Sequence, residues 1–258
     1  MKTKFSWIFY CLVSLLLSQS LSAAERFVTN ESNGFVWIQQ GKAYPILVDS
    51  REDKGVVRAV ANLQTDAGKV TGITPEIIHS VAGNRMLIIG SIENSSWIKQ
   101  LLKAGKINAA DLQGKREKYI LQMVKQPMEG VDEAVVIAGS DKRGTIYGIY
   151  ELSQQMGVSP WYFWADVPVE KHDIISIKEG IYTDGEPAVK YRGIFLNDEW
   201  PCLGNWAGDT FGGFNSKFYE TVFELVLRLK GNFMWPAMWN SAFYDDDPMN
   251  GPLADEMG

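Results

Sequence analysis

Cysteine and histidine are almost absent: the 258-residue chain has two of each. Cys11 sits inside an apolar N-terminal run and lacks the leucine and small residues that precede a lipoprotein cysteine. Beyond that run only Cys202 remains, so no internal disulfide can form and the fold must rest on its core. A Cys–His nucleophile is weak, because His79 and His172 lie far from Cys202 in sequence, and packing is the better expectation for the thiol. Cationic excess is lacking too. The net charge of −6 argues against nucleic acid as a partner, which asks for a basic face. After the N-terminus no run of 18 apolar residues appears, and neither does a repeat or a low-complexity tract. The segment Gly139–Thr145 has glycines five apart, but a threonine stands where a phosphate-binding loop needs lysine. It reads as a turn in which Ser140 or Asp141 caps the next helix.

What is present begins with a targeting segment. Lys2 and Lys4 precede the apolar run Phe5–Leu17, and Ser22-Ala23-Ala24 offers small residues for cleavage. Residues 1–24 are therefore expected to be a signal peptide, with export to the periplasm or the exterior and no stable membrane span after cleavage. An uncleaved anchor is the other reading. Cleavage removes two lysines and no acid, leaving a more acidic chain. A hydrophobic fraction of 46% and a charged fraction of 22% are those of a globular protein.

Strand-like and helix-like runs then alternate. Phe35–Gln39, Tyr44–Val48, Glu76–His79, Arg85–Ile89, Tyr119–Val124 and Ala134–Ala138 read as strands. Lys54–Ala67, Ser96–Lys103 and Gly144–Met156 read as helices, the last stopped by Gly157. Gly144 and Gly148 should let that helix lie close to the sheet. Trp161–Asp184 holds no long helix. The alternation predicts a small layered α/β domain with a mixed sheet over residues 25–186, ending at the turn Gly185-Glu186-Pro187. Residues 187–258 start a different pattern. Val189–Leu196 reads as a strand, Asn215–Leu229 as an amphipathic helix and Asn232–Trp235 as a second strand, which together make a βαβ unit with parallel strands.

The connection Asn197–Phe214 carries the chemistry. It has 18 residues, whereas such loops usually run about 2 to 6. It opens on Asn197-Asp198-Glu199 and adds Trp200, Trp206, Phe211 and Phe214 among four glycines. The second strand ends on Trp235-Pro236-Ala237-Met238-Trp239-Asn240. Aromatic faces stack on the apolar face of a pyranose, while carboxylates and amides bind hydroxyls. A sugar site and a folded surface loop with buried tryptophans and a capping aspartate both fit these residues. Six of the nine tryptophans lie beyond residue 160. Asp245-Asp246-Asp247-Pro248 holds three adjacent acids that cannot all face one ion, and Asp before Pro reads as a turn.

The stretches YRGIFLNDEWPCLGNWA, FNSKFYETVFELVLRLKGNFMWPAMW and PMNGPLADEMG resemble the start of the catalytic domain of glycoside hydrolase family 115. GSDKRGTIYGIYELSQQMGVSPWYFWADVP resembles the end of the small domain before it, a kind also found before the barrels of hexosaminidases and other α-glucuronidases. The resemblance implies an exported α-glucuronidase that removes glucuronic acid or its 4-O-methyl ether from glucuronoxylan by inversion. It implies no cofactor and no metal, and leaves a homodimer of the complete protein open. It further implies that residues 187–258 are the beginning of a (β/α)8 barrel, that the chain is an N-terminal fragment, and that the fragment alone is inactive. Asp198 is the candidate catalytic residue. Asn197, Glu199, Trp206, Trp235, Trp239 and Asn240 are the candidate sugar-binding residues. Asp198 and Glu199 are neighbours whose side chains should point apart, so the acid–base pair is expected on later strands. A non-catalytic carbohydrate-binding protein and a related exo-hydrolase such as a hexosaminidase are the competing readings.

Overall fold

The computed structural model describes residues 26–258, so the segment read as a signal peptide lies outside the described residues. The chain begins with β1 (Val28–Thr29), β2 (Phe35–Gln39), β3 (Lys42–Ala43) and β4 (Ile46–Val48). Helix α1 (Lys54–Thr71) follows and stops at Gly72 in the left-handed region. Next come β5 (Ile77–Ile78), β6 (Arg85–Ser91) and α2 (Ser96–Lys103), then β7 (Tyr119–Lys125), β8 (Glu133–Gly139) and α3 (Lys142–Gln155). Strands β9 (Ile175–Ile177) and β10 (Ile181–Tyr182) complete the first part.

A six-stranded mixed sheet runs in the order β10-β7-β8-β6-β4-β5. Strands β5, β4, β6 and β8 are parallel, and β7 and β10 pair antiparallel at one edge. Both faces are covered, so the central strands β4, β6 and β8 carry continuous apolar runs rather than alternating ones, with Arg85 and Glu133 only at the ends of β6 and β8. Leu87, Ile89, Val135 and Ile137 face the core under α1 and α3. Met86, Ile88, Val136 and Ala138 face a second core containing Ile98 and Leu101 of α2. Helix α3 lies close because Gly148 leaves room: a Cβ there would stand 2.7 Å from Cγ2 of Ile137. A smaller antiparallel sheet, β1-β9-β2-β3, closes over the first core with Phe35, Trp37 and Ile177.

The second part holds β11 (Gly193–Phe195), α4 (Cys202–Phe211), α5 (Ser216–Arg228), β12 (Phe233–Trp235), α6 (Phe243–Asp246) and α7 (Asn250–Met257). Strands β11 and β12 pair in parallel, as the βαβ pattern predicts. Three expectations need correction. The first strand is shorter than Val189–Leu196, because the Arg192 guanidinium folds back and donates to the carbonyls of Val189 and Lys190. The connection Asn197–Phe214 is not an open loop: ten of its residues form α4, with Gly204 and Ala207 turned inward and Gly212 closing it in the left-handed region. Cys202 opens that helix exposed rather than packed.

The two parts meet along a polar seam. Arg228 of α5 is buried, donates to Glu224 at 2.7 Å and pairs with Asp66 of α1 at 2.8 Å. Its guanidinium lies over the ring of Tyr150, 4.5 Å from the centroid. Burial opposes its charge, yet Asp66 and Glu224 keep it protonated. Arg58 of α1 pairs with Glu220 of α5 and with Glu256 of α7. Helix α7 can come this near because Gly55 has no side chain: a Cβ would lie 2.5 Å from the Glu256 carbonyl oxygen.

Candidate functional site

The carboxyl ends of β11 and β12 open side by side. Their register pairs Gly193 with Phe233 and Phe195 with Trp235, and the Leu196 N–H donates to the Trp235 carbonyl at 2.9 Å. Immediately after, Asp198 turns inward and is fully buried. Its Oδ2 accepts the Trp239 N–H at 2.9 Å, so this carboxylate ties the segment after β12 to the segment after β11. Its Oδ1 is buried without a hydrogen-bond partner, an arrangement that costs about 1–3 kcal/mol unless something fills it. Beside it the Tyr219 hydroxyl of α5 accepts the Ala237 N–H at 3.3 Å. Burial pushes the Tyr219 phenol up to about 12, with the Asp198 and Asp246 carboxylates adding to the rise.

Trp239 connects Asp198 to a cavity of about 360 Å³ lined by Trp200, Phe214, Asn215, Trp239, Asn240 and Asp246 among others, a lining that does not include Asp198 itself. Trp200 and Trp239 stand 61% and 58% exposed, which is large free aromatic surface on a cavity rim. Asn215 caps α5 with its Oδ1 and donates from Nδ2 to the Phe211 carbonyl. Asn240 sits at φ 56°, a conformation asparagine tolerates. The lining therefore combines two indoles, two amides and a carboxylate.

The structure brings only part of the expected set together. Asp198, Trp239 and Asn240 meet at the strand ends. Asn197 and Glu199 flank Asp198 but are exposed, on the other side of the backbone from its buried carboxylate. Trp235 lies on the open face of the two-stranded sheet, its ring 5.8 Å edge-on from Phe195. Trp206 lies elsewhere, in an aromatic cluster with Trp164 and Phe211, each at 5.4 Å. Sequence reasoning missed Asn215 and Asp246 as cavity residues, because each has a structural hydrogen bond that explains it locally. The neighbouring Asp247 accepts from Ser216 N–H and Met249 N–H, and its carboxyl is held below the usual range chiefly by the Ser216 bond. Among the described residues no three His, Cys, Asp or Glu side chains converge as metal ligands.

The turn Gly139–Thr145 is filled by its own carboxylate. Asp141 Oδ1 accepts the Gly144 N–H at 2.7 Å and Oδ2 accepts the Glu117 N–H at 2.7 Å. A phosphate has no free helix N-terminus there. No helix among the described residues is long and apolar enough to cross a membrane.

Comparison with known proteins gives two family matches. Residues 184–258 match the model of glycosyl hydrolase family 115, and residues 38–152 match that of the glycosyl hydrolase family 67 N-terminus. Among solved structures, the 4-O-methyl-α-glucuronidase BtGH115A, described as specific for decorated arabinogalactans, is 33% identical with a TM-score of 0.75. That match covers 87% of this chain, and the chain spans only 29% of that protein's length. A mutant Streptomyces plicatus β-hexosaminidase in complex with product is 14% identical over 78% of this chain and 31% of its own, with a TM-score of 0.46. A Flavobacterium johnsoniae chitobiase is 12% identical over 81% of this chain and 25% of its own, with a TM-score of 0.43. A search of the curated proteins returned no match.

Proposed function

Because the chain belongs to glycoside hydrolase family 115, we propose that it works as the N-terminal part of an exported α-glucuronidase that removes (4-O-methyl)glucuronic acid side chains from glucuronoxylan. The carrying observation is the pair of parallel strands whose carboxyl ends lie by an indole-lined, amide-bearing cavity, with the buried carboxylate of Asp198 holding the backbone of Trp239 in its lining. In α/β barrels catalytic groups gather at that end of the strands. In this reading β11 and β12 are the first two strands of a (β/α)8 barrel, with α5 the crossover between them. Two features support it. The open sheet face carries Phe195, Phe233 and Trp235, the side chains a barrel interior would enclose. A groove of about 390 Å³, lined by Phe223, Val226, Phe233, Met234 and Met257, lies beside β12 where a third strand would fit.

The chemistry proposed is inverting. One carboxylic acid protonates the leaving oxygen and another carboxylate activates water, with about 6.5–9.5 Å between them. Asp198 and Glu199 cannot form that pair, since one is buried and the other exposed. Asp198 instead holds Trp239 through Oδ2, while Oδ1 is unpaired and enclosed, so that its contact with a sugar hydroxyl or the attacking water requires the surrounding segments to open. The complete reading frame, purified and incubated with glucuronoxylan, should release the acidic sugar as its β-anomer; the 258-residue chain alone should release none. Release only from a uronic-acid-decorated arabinogalactan would replace the substrate and keep the enzyme class. Release from neither would overturn the proposal.

A further inference from the structure

Both strands of the second part start from one carboxylate of the first. Glu117 stands just before β7, its side chain fully buried and its backbone at φ 53°. That is an uncommon conformation for a glutamate and it persists only where the surroundings enforce it. Here the enforcing contact is Asp141, the cap of α3, which accepts the Glu117 N–H at 2.7 Å.

The two carboxylate oxygens serve different strands. Oε2 accepts Nη2 of Arg192, the residue before β11, at 2.8 Å. Oε1 accepts Nδ2 of Asn232, the residue before β12, at 2.7 Å, together with Nε of Arg143 from α3 at 2.6 Å. Arg192 and Asn232 are also tied to each other, N–H to Oδ1 at 2.9 Å and N–H to carbonyl at 2.7 Å. The Tyr147 hydroxyl of α3 completes the cluster by donating to the Gly231 carbonyl at 2.9 Å. Arg228–Asp66 and Arg58–Glu220 join helix to helix and reach neither strand, while Lys230, just before β12, pairs with Glu151 of α3 and with Asp184 and so anchors β12 alone by an ion pair.

From this arrangement we infer that Glu117 is a positioning residue, which fixes the height and register of β11 and β12 and thereby the place of Asp198 and Trp239. Each strand has three residues. At about 3.3 Å per residue a shift at Arg192 reaches Asp198 with little backbone between to absorb it. Glutamine in place of glutamate keeps the shape but leaves one acceptor oxygen for three donors, and turns an N–H₂ toward a guanidinium. The inference does not depend on the sugar chemistry proposed above, because it concerns where the strands sit.

Amide hydrogen exchange on the full chain tests it. In Glu117→Gln the amides of Ile194, Leu196, Met234 and Trp239 should exchange at least about tenfold faster, as loss of a charge-assisted bond predicts. Those of β4 and β5, at the edge of the six-stranded sheet opposite β7, should stay within about twofold. Unchanged exchange in β11 and β12 would overturn the assignment. So would equal acceleration in β4 and β5, since that reports a general loss of stability. If Glu117→Gln does not fold, Asn232→Ala removes one donor from a half-buried position and should loosen β12 and Trp239 more than β4 and β5; equal loosening there overturns the inference in the same way.

Discussion

The two sheets of this molecule that hold parallel strands are built on opposite terms. In the six-stranded sheet every central side chain is buried, and both faces are covered by helices or by the smaller sheet. In the two-stranded sheet one face packs on α5 through Ile194 and Met234, while Phe195, Phe233 and Trp235 stand about half exposed on the other. The first sheet carries stability and little chemistry. The second has its amides, carboxylates and free indoles at its open end. A shared apolar core and the polar seam across it are the link, and through them the thin sheet has its footing on the thick one.

Cutting that link should give the largest effect. Arg228→Ala leaves Asp66 buried with neither oxygen hydrogen-bonded, and should cost about 3–5 kcal/mol in urea unfolding. Next comes the contrast within the sheets. Ile137→Ala in the covered sheet should cost about 2–5 kcal/mol, while Phe195→Ala on the open face of the same chain should stay within about 0.5 kcal/mol. Equal losses at the two positions would mean that the open face is packed after all.

A smaller effect should appear on acidification. Burial pushes the Glu117 carboxyl up, but Asn232, Arg192 and Arg143 outweigh it and hold it below the usual glutamate range. Its folded-state affinity for protons is thus lower than in the unfolded chain. The stability it supplies is present above the ordinary glutamate pKa of about 4.3 and is lost as pH falls below it. The other ionisable groups that face its carboxylate are Arg143 and Arg192, with Tyr147 alongside, and Asp141 faces the Glu117 amide rather than its carboxylate. Thermal unfolding between about pH 3 and 7 should show Glu117→Gln losing less stability on acidification than the parent chain. Parallel curves would remove Glu117 from the acid limb.

Much of the covered sheet was legible. The run Arg85–Ile89 announces a buried strand because both faces want apolar side chains, and Ser96–Lys103 matches its helix because the pattern is purely local. Helix α4 was hidden, since its four flanking and internal glycines read as loop, while its inward face, Gly204 and Ala207, is set by tertiary packing. Helix α7 was hidden behind Gly251-Pro252 and is secured by distant partners, with Asn250 donating to the Phe243 carbonyl and Glu256 pairing with Arg58. The site shows the same division. The order Asn197-Asp198-Glu199 marks a strand end, but which of the three turns inward is decided by the Trp239 N–H, 41 residues away. Trp206 looked like its neighbours in composition, and packing against Trp164 and Phe211 took it elsewhere.

The most direct test of the account is Asp198 in the complete reading frame. Turnover, Michaelis constant and melting temperature should be measured on the same preparation of Asp198→Asn with glucuronoxylan oligosaccharides. Asparagine can keep the bond to the Trp239 N–H while losing the charge. The account predicts a fall in turnover of at least about tenfold, with the melting temperature shifted by no more than a few degrees. Unchanged turnover at unchanged stability would contradict it and leave Asp198 as the tie between two strand ends.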